Sequence, residues 1–123
     1  MSGGERKLLG RWGEAQAAEY LRRRGYRIIS AGWRCRFGEI DLIAEHDTYL
    51  CFIEVKLRKD DHFAPARVFV DTRKQTRLRT SAQLYLTEYT GQLQPRFDVI
   101  ELYAPAGTKT ILPDIRHIEN AFE

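Results

Sequence analysis

Asp41, Glu54 and Lys56 stand in the spacing D-x12-E-x-K, with Glu39 two residues before the aspartate. All four lie in "GEIDLIAEHDTYLCFIEVKL", residues 38–57, the most strand-like stretch of the chain. An unpaired carboxylate buried in a sheet is costly or shifts its pKa, so acids set into apolar runs need a partner. Side chains alternate along a strand, so Glu39 and Asp41 share one face, while Ile40 and Leu42 take the other. On the following strand Glu54 and Lys56 share a face, opposite Ile53, Val55 and Leu57. A two-residue loop at Asp47–Thr48, or a four-residue loop from His46 to Tyr49, pairs residues whose numbers sum to 95. Asp41 then faces Glu54 and Glu39 faces Lys56, with Cβ atoms about 4.5–5.5 Å apart. Facing carboxylates repel. A divalent cation that prefers hard oxygen ligands (Mg2+, Mn2+ or Ca2+) removes that repulsion. The alternative is a surface hairpin in which Glu39–Lys56 is an ordinary cross-strand ion pair. His46, at the hairpin tip, reads as turn chemistry.

Two helices bring further candidates. Gly10, Glu14, Ala17, Ala18 and Leu21 form one face of the first, a small apolar stripe with an acid in its middle. Glu14 there pairs with an Arg of the next strand, is solvated by a cleft, or helps to hold a cation. On the second helix Leu78, Ala82, Tyr85 and Tyr89 form the core face, with Lys74 and Gln75 one turn earlier. Thr72 and Gln75 match a capping box. The same turn, with Arg73, Lys74 and Arg77, also suits a phosphate at a helix N-terminus.

The elements that must position these residues follow from pattern. Residues 5–24 read as a helix stopped by Gly25. "YRIIS" reads as extended and "AGWRCRF" as irregular. Gly38–Glu45 and Thr48–Leu57 are strands rich in β-branched and aromatic residues. "RKDDHFAPARVFV" reads as a loop with a short strand at its end. A helix over 72–89, the exit loop "TGQLQP", the strand "RFDVIELY" and a short extended piece in "KTILPDIRHIENAF" complete the chain. The order is α-β-β-β-α-β-β, an α/β fold with a mixed sheet flanked by helices.

With 123 residues, the chain fits a single domain over 1–123, with 1–5 flexible. It is 43% hydrophobic and 30% charged, with no apolar run long enough to span a bilayer and no secretory signal pattern. Cys35 and Cys51 make neither a disulfide framework nor a metal motif, so a reducing, cytoplasmic home is expected. The net charge is +3, unevenly spread. Residues 1–37 hold nine Lys/Arg against three acids, and residues 62–87 hold five against one. Such segments are either solvated helix faces or contacts for an anionic partner such as nucleic acid.

Together, "GEAQAAEYL", "GEIDLIA", "FIEVKLR", "RKQTRL", "RFDVI" and "HIENAF" resemble the YraN family of small bacterial proteins, over nearly the whole chain. The D…ExK spacing resembles the PD-(D/E)XK nuclease superfamily, to which Holliday-junction-resolvase-like endonucleases belong. Here Ile40, not Pro, precedes Asp41. The resemblance implies a restriction-endonuclease-like α-β-β-β-α-β core. It implies metal binding by Asp41, Glu54 and the carbonyl of Val55, with Lys56 as the active-site lysine. Glu14 matches the first-helix acid of resolvase-like members, and Lys74 or Gln75 a polar position on the second helix.

The activity so implied is Mg2+-dependent (or Mn2+-dependent) hydrolysis of phosphodiester bonds in structured or branched DNA. Three roles are open to Lys56: orienting the attacking water, accepting its proton, or neutralising the scissile phosphate. Glu14 and Glu39 are placed to hold outer-shell waters. Arg22, Arg23, Arg34, Arg36, Arg73 and Arg77 are candidates for phosphate contacts. An inert nucleic-acid-binding module, a partner-binding protein and an RNA-directed nuclease are the alternatives. A homodimer would suit a branched substrate.

Overall fold

Helix α1, Gly3–Arg23, ends in a Schellman turn. Gly25 lies in the left-handed region at φ 87°. Its N–H donates to the Arg22 carbonyl, and that of Tyr26 to the Leu21 carbonyl, both at 3.0 Å. The chain then re-enters as β1 (Arg27–Cys35), β2 (Gly38–His46), β3 (Tyr49–Arg58), helix α2 (Thr72–Leu86), β4 (Gln94–Tyr103) and β5 (Asp114–Phe122). The structure is a computed structural model and describes residues 3–59 and 71–123. Most of the expected loop and short strand over 58–70 lies outside the described residues, as do residues 1 and 2 of the segment expected to be flexible.

The sheet order is β1-β2-β3-β4-β5. Neighbours are antiparallel except β3 and β4, which are parallel and joined through α2. This is the expected mixed α/β architecture, consistent with a restriction-endonuclease-like fold. One apolar cluster sets Ala17, Ala18 and Leu21 of α1 against Leu42, Ala44, Ile53 and Ile100. The other sets Leu78 and Ala82 of α2 against Ile43, Leu50, Phe52 and Val99. Among the described residues no helix is long and apolar enough to cross a membrane. Both cysteines are free thiols.

Four local expectations are corrected. β1 runs unbroken through "AGWRCRF" to Cys35, because a bulge between Ile28 and Ser30 and a left-handed Gly32 (φ 70°) absorb the irregularity within the strand. The C-terminal piece is a full nine-residue strand. The cap of α2 is Asp71, whose carboxylate accepts from the Lys74 N–H at 2.9 Å. The capping box at Thr72 therefore does not form, and Gln75 instead accepts from Arg79 at 3.1 Å. On α1, Gly13 is the buried glycine, placed where a Cβ would touch Leu57, whereas Gly10 is exposed.

Candidate active site

The β2–β3 hairpin closes on the two-residue loop Asp47–Thr48, with Asp47 at φ 55°. Its register runs from His46–Tyr49 to Leu42–Ile53, which makes Asp41 and Glu54 the next positions along. The paired ladder ends there. Beyond it the Val55 N–H donates to Asp41 Oδ2 at 2.8 Å, so a side chain takes over from the backbone. Alternation breaks at the same place. Ile40 joins the α2-side core with Ile43, while Leu42 faces α1. The expectation that Ile40 and Leu42 share a face is thereby corrected, because β2 turns over where it parts from β3.

That turn brings three acids together. Carboxylate oxygens of Glu14, Glu39 and Asp41 lie within 4.8 Å of one another. Glu14 Oε1 is buried with no hydrogen-bond partner among the described residues. Gly32, across from this point on β1, makes room for Glu39: a Cβ there would stand 3.0 Å from Glu39 Oε1. Two clefts open on the cluster and share Glu39 and Asp41. The larger, about 870 Å³, lies between α1 and β1. The smaller, about 160 Å³, is reached from the α2 side past Lys74 and Arg77.

Glu54 stands behind the trio, 3% exposed. Lys74 Nζ lies 2.8 Å and Lys56 Nζ 3.4 Å from its Oε1. The expected Glu39–Lys56 pair is not formed, because the strands diverge before reaching it. Glu39 instead lies 3.9 Å from Arg34, its registered partner on β1. Arg34 and Arg22 line the large cleft, joined by Lys7 and Arg11, which the sequence reading did not single out. Arg73 is exposed on the first turn of α2, and the Arg36 guanidinium sits over the Phe37 ring; neither lines either of these two clefts. Arg23 pairs with Glu19 on the helix surface.

Crowded carboxylates resist ionising. Burial, followed by the charges of Glu54 and Glu14, pushes Asp41 up to about 8, against the Val55 N–H and Lys74. Burial and then Glu39 and Glu54 also raise Glu14. Burial disfavours the Lys74 ammonium, but its bond to Glu54 and the charge of Asp41 outweigh this and raise its pKa. These observations fit a bound cation. Three acids within reach of one ion, one with an unsatisfied buried oxygen, could supply oxygen ligands to a hard divalent metal.

A stability prediction follows. The folded pKa of Asp41 lies above its unfolded value of 3.8, so between these values the folded state binds more protons. Without metal, stability should fall by a few kcal/mol as pH rises from about 4 to about 8. Chemical denaturation across that range in EDTA measures the slope. Asp41→Asn should flatten it, and an equal slope in both proteins would refute the assignment.

A second ionic cluster lies outside the site, on strands β4 and β5. Asp98, fully buried, accepts from Arg96 Nε and Nη2 at 2.8 Å each and from the Asn120 N–H at 3.0 Å. His117 Nε2 lies 2.8 Å from its Oδ2, and Arg96 also donates to the Tyr26 hydroxyl at 2.9 Å. The one sequence signal was Arg96 and Asp98 two apart on a strand, hence on one face.

A family model described as "Uncharacterised protein family UPF0102" matches residues 13–102, which include every acid of the site. The chain belongs to the UPF0102 family. A UPF0102 protein of Caldanaerobacter subterraneus is 41% identical over 118 residues, covering 95% of this chain and 96% of its own. Another, from Treponema pallidum, is 42% identical over 120 residues, covering 95% and 94%. A third, from Herpetosiphon aurantiacus, is 38% identical over 120 residues, covering 94% of each. The family-level resemblance read from the motifs is thus correct, and this UPF0102 chain matches its relatives over nearly their full length.

Proposed function

We propose that this chain is a divalent-metal-dependent endonuclease that hydrolyses phosphodiester bonds in structured or branched DNA. The observation that carries the reading is the junction of Glu14, Glu39 and Asp41 around the unsatisfied Glu14 Oε1, at the foot of a cleft rimmed by cations. Asp41 and the Glu14–Glu39 pair would hold Mg2+ or Mn2+, with Glu54 and the Val55 carbonyl beside them. A metal there supplies an activated water and charge neutralisation at the phosphate.

The chain's own residues do the rest. The Val55 N–H fixes the Asp41 carboxylate. Lys74 holds Glu54 and keeps its charge from adding fully to the trio. Lys56, 3.4 Å from Glu54 on the same face of β3, would act on the attacking water or the phosphate. Arg22 and Arg34 on the cleft walls bind the backbone without reading its sequence.

An inert nucleic-acid-binding module is the competing reading, and one observation favours it: Lys56 and Lys74 already neutralise Glu54 without a metal. Incubation with four-way-junction, flap, single-stranded and duplex DNA, and with RNA, in Mg2+ or Mn2+, decides. Cleavage of at least one DNA substrate is expected, abolished by EDTA. Cleavage of none would overturn the nuclease reading.

A further inference from the structure

The large cleft does not end at the edge of the sheet. Arg34 lines it and also lines a second cleft, of about 510 Å³, between β1 and the C-terminal end of α2. Among the described residues β1 is an edge strand paired only with β2, and the two clefts have Arg34 of that edge in common. Their chemistry differs. On the α1 side, Lys7, Arg11 and Arg22 lie along one helix face. They span 15 residues, or roughly 22 Å at 1.5 Å per residue. On the α2 side the lining includes three aromatic rings. Trp33 packs edge-to-face on Tyr85 at 5.4 Å, and Tyr85 lies at 29° to Tyr89 at 6.3 Å. The Tyr89 hydroxyl is buried with no hydrogen-bond partner among the described residues. Glu88 on the same rim repels a phosphate, which leaves this cleft to an uncharged group.

A cationic track that leads into an aromatic cleft is how proteins hold single-stranded nucleic acid: the charges follow the backbone and the rings stack on bases. A duplex keeps its bases stacked and paired, and must spend unstacking energy to offer one. We propose that the substrate strand is unpaired where it passes this site. Its backbone runs along the α1–β1 groove over the acids, and one of its bases rounds the β1 edge at Arg34 and stacks in the Trp33–Tyr85–Tyr89 cleft. This rests on the nuclease reading and narrows the substrate to DNA with a single-stranded arm.

The test is binding without cleavage. Full-length protein in EDTA, at one fixed salt concentration, is titrated into three labelled DNAs: a blunt duplex, the same duplex with an unpaired arm, and the arm alone. Anisotropy should show the two arm-bearing DNAs binding at least about 10-fold tighter than the blunt duplex. Tyr89→Leu should cost about 5-fold or more on the arm and nothing on the duplex. A 2-aminopurine in the arm, read with wild-type protein, should be quenched on binding, a result independent of how well the variant folds. Equal affinity for armed and blunt DNA, or an unquenched probe, would overturn the inference. Cleavage of blunt duplex together with equal affinities would leave the nuclease reading standing and remove this one. A preference for the arm with no cleavage of any substrate would do the reverse.

Discussion

Asp41→Asn should abolish cleavage and, in the same protein, raise stability in the absence of metal. Both results come from one fact: Asp41 is a buried carboxylate beside Glu54 and Glu14, held by the Val55 N–H. In the folded, metal-free state its charge is unfavourable, so asparagine, which keeps the acceptor oxygen and loses the charge, relieves the crowding. A divalent cation converts the same crowding into affinity. Losing even a supporting group of a metal site costs roughly 10–100-fold, and losing a carboxylate of the cluster itself should cost more. The expected signature at pH 8 in EDTA is a higher melting temperature than wild type. With Mg2+ or Mn2+ present, cleavage should fall by at least ~10²-fold, and the metal-induced rise in melting temperature should vanish. A variant that cuts like wild type would remove Asp41 from the mechanism. One that merely unfolds would contradict the stability half.

The largest loss of stability should come from the ionic cluster on β4 and β5, outside the site. Asp98→Ala leaves Arg96, 8% exposed, buried without its bidentate partner, and removes the acceptor for the Asn120 N–H and His117. Breaking a buried ion pair by removing one partner costs about 3–5 kcal/mol. For a chain of this size that is a fall of roughly 10–20 °C in melting temperature. Burial opposes the ionised Asp98, but bonds from His117, Arg96 and Asn120 overcome it and hold its pKa below 3.8. Its stabilisation is therefore complete above that value and is lost as pH falls through the folded pKa. Thermal melts at neutral and acid pH measure both effects. A melting temperature within about 2 °C of wild type would show that the network carries little.

What could be read in advance was whatever has a short period. The strand alternation and the two-residue turn fixed the hairpin register down to Leu42–Ile53. The helical stripe placed Glu14 at the site, and 3.6-residue spacing put Lys74 on the core-facing side of the second helix. That Lys74 pairs with Glu54 was not legible, since nothing local fixes where α2 meets β3. The rest depends on how elements diverge or meet. That Ile40 abandons the face of Leu42, and that Glu39 turns to Glu14 and Arg34 instead of Lys56, comes from β2 parting from β3. Nothing local in residues 38–42 encodes it. Gly32 reads as one more glycine until the Glu39 carboxylate is seen above it. Asp98 and His117 are 19 residues apart, and their pairing exists only because β5 lies beside β4.

The bulge and the left-handed Gly32 in β1 do more than clear space for a carboxylate. An exposed, flat edge strand is a template for intermolecular pairing and so for aggregation. Among the described residues β1 is an edge but not a flat one: its irregularity, with Arg27, Arg34 and Arg36 along or just beyond it, spoils the regular ladder another chain would need. Straightening β1 to improve its stability would therefore risk solubility as well as the position of Glu39.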